Sequence, residues 1–392
     1  MNGVRFNKQS GGLARALAGE THISGLILYG EATTEIKVIN SVQELEGNGI
    51  FKTSVLHYHV SEFFRINPGA TLYYQSVSTS DGNYTEISNM QNFANGNIRQ
   101  FAICDFKSEV SNLSNSVGKI EQKARYFWKI NTPANFLLSM KITGADMITL
   151  PDLHSLKAEN VSVVIGQDGA GRGKYLADMG NVSFSCVGAT LGAVSKAQIH
   201  ESIAWVERQN LVTDFPYDKE LTGGKVVARE LDTPAFCDGS LLSEYTQDQL
   251  EDLDAKGYLF AIKHTGITGS YFNDSYTAIS LDSDFAFIEN GRTISEAVRE
   301  VNKVLIPKVS SPFYVDPTTG ELDANSVSAL EALCDEVLER MIRNGQISGF
   351  AVTIDPNQKI LSTSKLQITI KIVPVGTLRE IVVNLGLSIK NN

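Results

Sequence analysis

From Ile23 to Tyr29 the chain is almost continuously apolar, a pattern that predicts a buried strand. Farther on, Val110, Leu113, Val117, Ile120, Ala124 and Phe127 recur at helical spacing and predict an amphipathic helix. It is flanked by strand-like Ile98–Phe106 and Phe136–Ile142. The alternation continues with a buried strand at Val161–Ile165. Val187–Val194 and Lys196–Arg208 read as one broken or two short helices, and Gly257–His264 as a strand. Gly188 and Gly192 stand four apart, a spacing that lets another element approach closely. Strands alternating with helices over this span predict an α/β layer structure. The stretch Ser76–Gly118 is rich in Ser and Asn and implies exposed turns.

The last hundred residues carry a clear local grammar. Thr293-Ile-Ser-Glu296 has the form of a capping box ahead of a helix over Ile294–Leu305, which Pro307 stops. Asp316-Pro-Thr-Thr-Gly320 is a turn. A second helix runs from about Ser326 to Asn344, with Gly345 just beyond. Its apolar stripe is Val327, Leu330, Leu333, Cys334, Val337, Leu338 and Met341. Leu366, Ile368, Ile370 and Ile372 then alternate with polar residues, Pro374 interrupts, and Ile381, Val383, Leu385, Leu387 and Ile389 alternate again. At the other end, Val4 and Phe6 share one side of a short strand, followed by the flexible joint Ser10-Gly11-Gly12. That combination reads as an arm.

Composition narrows the functional classes. The chain has 392 residues, 42% of them hydrophobic, which suits two or three domains with a sizeable core. Its net charge is −10 and no long basic run occurs, which argues against nucleic acid as a partner. Cys104, Cys186, Cys237 and Cys334 lie far apart with no CxxC spacing, so paired-thiol zinc sites are unsupported and a reducing, cytoplasmic folding environment fits. Met1–Asn7 lacks the apolar core of a secretion signal, and no apolar run is long enough to span a bilayer.

Candidate chemistry is sparse. Gly166-Gln-Asp-Gly-Ala-Gly-Arg-Gly173-Lys174 follows a strand, as a phosphate-binding loop does. However, Asp168 stands where GxxxxGK needs glycine, and Tyr175 replaces the Ser or Thr, so a plain loop is favoured. His57 and His59 would share a face on a strand and could hold a metal, but no third ligand is evident nearby. There is no G-x-S-x-G elbow, and Asp316 is explained by its turn. Nothing assembles an acid, a base and a nucleophile, so no catalytic residue, cofactor or metal is assigned.

Two surfaces remain. The second C-terminal helix carries Glu331, Asp335, Glu336, Glu339, Arg340 and Arg343 opposite its apolar stripe, either as a solvated face or as a contact for a partner. The terminal strand Ile381–Ile389 must pair with something. It either folds back on Leu366–Val373 as a hairpin or adds to a sheet in a neighbouring subunit.

The C-terminal order of helix, Val315–Gly320 turn, second helix and paired strands around Pro374 resembles the C-terminal domain of contractile tail sheath proteins. Val161-Ser-Val-Val-Ile-Gly166, Gly257-Tyr-Leu-Phe, Gly269–Thr277 and Asn290-Gly-Arg292 resemble that family too. The likeness covers Val161 to the end plus the N-terminal arm; Thr33–Leu150 stands outside it. It implies an α/β plus α+β multidomain fold with extended N- and C-terminal β-strand arms. The expected divisions are an N-terminal arm (1–20), a variable or inserted domain (21–152), an α/β core domain (153–290), a C-terminal sheath domain (291–375) and a C-terminal arm (376–392). It implies a non-enzymatic subunit that stacks as six-fold rings around an inner tail tube and contracts to drive the tube into a target envelope. The arm residues would be Val4, Phe6, Ile381, Val383, Leu385, Leu387 and Ile389, and the tube-facing residues Glu331, Asp335, Glu339, Arg340 and Arg343. Implied partners are other copies of the chain, the tube protein, and baseplate and tail terminator proteins, with no membrane insertion. Assembly would occur in a bacterial cytoplasm, within a phage tail or related injection particle. The alternatives are another assembly subunit, such as a tail tube, capsid or surface-layer protein, and an α/β nucleotide-binding enzyme.

Overall fold

The computed structural model describes residues 17, 19–142, 147, 149–212 and 229–387. Val4, Phe6 and Ile389 lie outside the described residues. In chain order the body contains β1 (Ser24–Tyr29), β2 (Lys37–Ile39), α1 (Val42–Gly47), α2 (Val55–Ile66), β3 (Leu72–Val77), α3 (Thr85–Phe93), β4 (Gln100–Glu109), α4 (Leu113–Lys129) and β5 (Asn135–Lys141). It continues through β6 (Val161–Val164), β7 (Gly166–Asp168), α5 (Arg172–Gly180), α6 (Val187–Lys196), β8 (Pro234–Phe236), α7 (Gln247–Ala255), β9 (Tyr258–Leu259), β10 (Ala261–Ile262) and β11 (Tyr271–Phe272). A C-terminal unit follows: α8 (Ile288–Leu305), α9 (Ala324–Arg343), β12 (Ile347–Thr353), α10 (Ile360–Thr363) and β13 (Thr369–Pro374).

The body is a mixed α/β structure around a seven-stranded sheet of order β2-β3-β1-β4-β5-β6-β9. Every pairing in it is parallel except β2 with β3. Strand periodicity sorts the core. Leu26, Leu28, Ala102, Cys104 and Leu137 pack on one face with α2 and α6. Ile27, Tyr29, Phe101, Ile103, Phe136 and Leu138 pack on the other with α3 and α4. The sheet is continuous across residue 152, since β5 and β6 pair. All four cysteines are buried and unpaired.

The glycine pair in α6 meets its expectation in an extreme form. A Cβ on Gly188 would lie 2.4 Å from the His59 carbonyl oxygen and 2.6 Å from its Cα. One on Gly192 would lie 3.0 Å from the Phe63 carbonyl oxygen. Helices α2 and α6 therefore touch backbone to backbone.

Several local expectations give way to tertiary context. His57 and His59 lie on α2, whose N-cap Ser54 accepts the His57 amide, so they do not share a strand face. Lys196–Arg208 is not a second helix: α6 stops at Lys196, and Ala197 is extended. Gly257–His264 splits into β9 and β10, because the Phe260 amide turns to the Asn273 side chain. The Ser- and Asn-rich stretch includes α3, whose Ile87, Met90 and Gln91 are buried. Thr293 is no N-cap, because α8 begins five residues earlier at Ile288 and Thr293 is buried within it. Gly291 lets the same helix pass Asn135, whose Nδ2 would lie 2.9 Å from an added Cβ.

Helix α8 seats the C-terminal unit on the body through arginines that donate to backbone carbonyls. Arg292 reaches Ala197 and Gln198 at 3.0–3.2 Å. Arg299 reaches Gly96, Ile98 and Pro133 at 2.6–3.2 Å. Asp323 caps α9, and its stripe residues Val327, Cys334, Val337, Leu338 and Met341 are buried. Beside it, β12 and β13 form a two-stranded antiparallel sheet.

Candidate assembly surface

The glycine-rich loop does have strand-loop-helix topology, running from β6 through β7 into α5. Its anion cradle is filled by the chain itself. The Glu230 carboxylate accepts from the amides of Arg172 (2.6 Å) and Gly173 (3.0 Å) at the start of α5. Asp168 accepts from Ala170 (3.0 Å), Gly171 and Leu231 (2.8 Å). Burial raises the pKa of both acids, that of Asp168 to about 7.

In an open α/β sheet the customary ligand crevice lies where strand order reverses, here at the C-terminal ends of β1 and β4. Gly30 follows β1 at φ 128°, and the Phe106 ring occupies the space above it, 2.5 Å from where a Cβ would stand. His57 is engaged by Glu46 (3.0 Å), Ser61 (3.0 Å) and Arg172 (2.8 Å). His59 packs edge-on against Phe184, and burial lowers its pKa to about 3.

The C-terminal unit has the opposite character. Leu366, Ile368, Ile370 and Ile372 are half-buried while Gln367, Thr369 and Lys371 are exposed, so the predicted alternation is real. The partner of β13 is β12, an unforeseen pairing in which Ile372 faces Phe350 and Ile370 faces Val352. The hairpin with the last apolar run does not form: residues 375–387 contain no strand. Leu378, Ile381, Val383, Leu385 and Leu387 lie 67–108% exposed. Among the described residues, β12 and β13 pair only with each other, so each keeps an open edge.

The charged face of α9 is only partly free. Glu331 accepts the Ile354 amide (3.0 Å) and so caps the end of β12. Arg340 reaches Glu300 of α8 (2.6 Å). Glu339 and Arg343 form a loose exposed pair at 3.6 Å, and Asp335 is half-buried beside them. Sequence reasoning missed a further cluster. Arg379 lies against Asp274, Glu289 and Phe287, joining the root of residues 380–387 to the body. The adjacent charges Arg379 and Glu380, ahead of the apolar run from Ile381, were the available signal.

The described residues thus form a parallel-rich α/β body bearing a helical C-terminal unit with an incompletely paired sheet. The chain belongs to the DUF2586 family: residues 1–276 match its N-terminal domain and residues 284–392 its C-terminal domain. The fold is that of contractile tail sheath-like proteins. A chain in the cryo-EM structure of the anti-feeding prophage (AFP) baseplate, 6-fold symmetrised, aligns with TM-score 0.65 at 14% identity, covering 99% of each chain. The AFP helical sheath in its contracted state aligns with TM-score 0.64 at 15% identity, covering 98% of each chain. The sheath complex of PVC, an extracellular contractile injection system, also in the contracted state, aligns with TM-score 0.60 at 11% identity, covering 99% of this chain and 98% of that one. No curated protein sequence matches the chain.

Proposed function

We propose that this chain is the structural subunit of a contractile sheath, stacking as six-fold rings around an inner tube and contracting to drive it into a target envelope. The observation that carries the reading is the end-to-end likeness to sheath chains, joined to a C-terminal unit that leaves its own sheet edges and apolar tail uncovered. An exposed strand edge and an unpaired alternating segment are complementary: main-chain hydrogen bonds fix a donated strand, and alternate side chains set its register. In this reading Ile381, Val383, Leu385, Leu387 and Ile389 add to the β12–β13 sheet of a neighbour, and Val4 and Phe6 do the same from the other end. Energy for contraction resides in subunit contacts, so the subunit needs no cofactor and performs no catalysis. The similar alignment with a baseplate-map chain supports a second reading, a subunit confined to the baseplate end.

Removal of Ile381–Asn392 tests the reading. The shortened monomer should keep its melting temperature yet fail to form long hollow cylinders in electron micrographs. Wild-type protein that forms no cylinder with its tube protein, or a truncation that still does, would overturn it. Short collars in place of long cylinders would favour the baseplate reading. Helix α9, with Asp335, Glu339 and Arg343 outward, is the proposed tube contact, and a weak polar face suits a surface that must release. Asp335→Lys with Glu339→Lys should leave the monomer intact and abolish assembly on tubes; normal extended sheaths would remove α9 from that role.

A further inference from the structure

After β13 the chain leaves the C-terminal unit and crosses back to the body. Arg379 enters a site built by the Asn273–Thr277 loop and the first turn of α8. Its Nε lies 3.1 and 3.0 Å from the two Asp274 carboxylate oxygens, and its Nη2 lies 2.5 Å from Glu289 Oε1. Its guanidinium carbon sits 3.4 Å above the Phe287 ring centroid. Nη2 also lies 3.4 Å from the Ser275 hydroxyl. The Thr377 hydroxyl donates to Glu289 at 3.2 Å, and Ser275 donates to the other Glu289 oxygen at 2.6 Å. The Glu289 side chain is 2% exposed, that of Asp274 12% and that of Arg379 30%.

Two nearly buried carboxylates beside an aromatic face form a receptor matched to a planar guanidinium. Its place in the chain gives it a further meaning. Beyond Arg379, residues 380–387 are exposed and unpaired. Before it, Pro374 faces Ile347 at the very end of the two-stranded sheet, next to a register irregularity between Ile347 and Gly349. A pull on the tail without Arg379 would meet only the Thr377–Glu289 hydrogen bond before loading that last rung, and would then open the β12–β13 pairing one rung at a time. With Arg379 seated, the pull reaches the body and α8 first.

We propose that the Asp274–Glu289–Phe287 site is a guanidinium receptor that makes Arg379 the mechanical anchor of the C-terminal tail, diverting tension from β13 to the body. This rests on the sheath reading only in supposing that neighbours pull on the tail. The anchor itself is a property of the monomer and is tested there.

The full-length monomer is stretched between a handle on exposed Asp248 and a C-terminal tag. Wild type should resist until Arg379 leaves its receptor. Arg379→Ala should lose that first resistance and release residues 369–379 at lower force, a gain of at most roughly 36–40 Å at about 3.3–3.6 Å per residue, less the span these residues already cover when folded. Guanidinium chloride at low concentration should fill the vacated receptor and raise the melting temperature of Arg379→Ala where equimolar sodium chloride does not, yet leave the early release unchanged, because a free guanidinium is not joined to the tail. Because Arg379→Ala leaves two nearly buried acids unpaired at a cost to folding, the triple variant R379A/D274N/E289Q is pulled as well, and it should also peel early. A folded variant of either kind with the wild-type trace would overturn the anchor. Cylinder formation by wild type is scored separately, so the sheath reading and the anchor fail independently.

Discussion

All six residues of β1 are buried, and none of the six in β13 is, although both strands are rich in aliphatic side chains. Strand β1 lies between β3 and β4 with helices on both sheet faces. Strand β13 has a partner along one edge, and its half-buried side chains Ile370 and Ile372 pack toward a small cluster with Leu338 and Met341 of α9. The central strands of the body satisfy their apolar faces and their main-chain groups within one chain. The C-terminal unit leaves both partly unsatisfied, which is costly for a lone domain and useful for a subunit. That difference is why a function can be proposed from the C-terminal unit and none from the body.

The sharpest test of the contrast is steric. Gly188→Val would push a side chain into the backbone of His59, which cannot move without displacing α2. We expect a loss of about 3 kcal/mol or more in denaturant unfolding, with little soluble protein. Next, core truncation should cost different amounts in the two regions. Leu28→Ala, fully buried, should lose about 2–5 kcal/mol. Ile372→Ala, half-buried, should lose about 1–2 kcal/mol in the monomer. If neighbours cover β13, the second cost rises in the assembled state, read as earlier thermal disassembly of the polymer. Equal costs for both in the monomer would break the comparison.

A pH test addresses the body's buried acids. Burial raises the pKa of Asp168 from 3.8 to about 7, so the folded chain holds its proton more tightly than the unfolded chain does. Its contribution to stability is therefore greatest below the unfolded value and falls as pH rises from 3.8 to about 7. Glu230→Gln removes a second acid whose pKa is raised by burial and by the neighbouring Asp168, and urea midpoints at acidic and neutral pH should then differ less than in wild type. An unchanged difference would show that the two acids titrate elsewhere. The smallest effect belongs to the tail: Leu385→Ser with Leu387→Ser should change monomer stability by under about 0.5 kcal/mol. A larger loss would mean that these exposed residues are covered in the monomer.

Much of this architecture is legible in the order of residues. Alternation and helical spacing are local consequences of where side chains point, so β1, α4 and the stripe of α9 could be read directly. So could the Gly188–Gly192 approach, and the Asp316 turn, whose carboxylate accepts the amides of Thr318 and Thr319. What the sequence left open depends on distant partners. The start of α8 was decided by Ser275, whose carbonyl receives the Ile288 amide at 2.8 Å, against a local capping pattern at Thr293. Whether the glycine-rich loop was vacant turned on Glu230, far along the chain, whose carboxylate accepts the loop's amides. The choice of β12 as partner for β13, and the seating of Arg379 between Asp274 and Glu289, likewise join residues that no periodicity connects. Local pattern sets which face of an element is apolar; only packing selects what that face meets, because each candidate strand or carboxylate offers chemically equivalent groups until the chain brings one of them within reach.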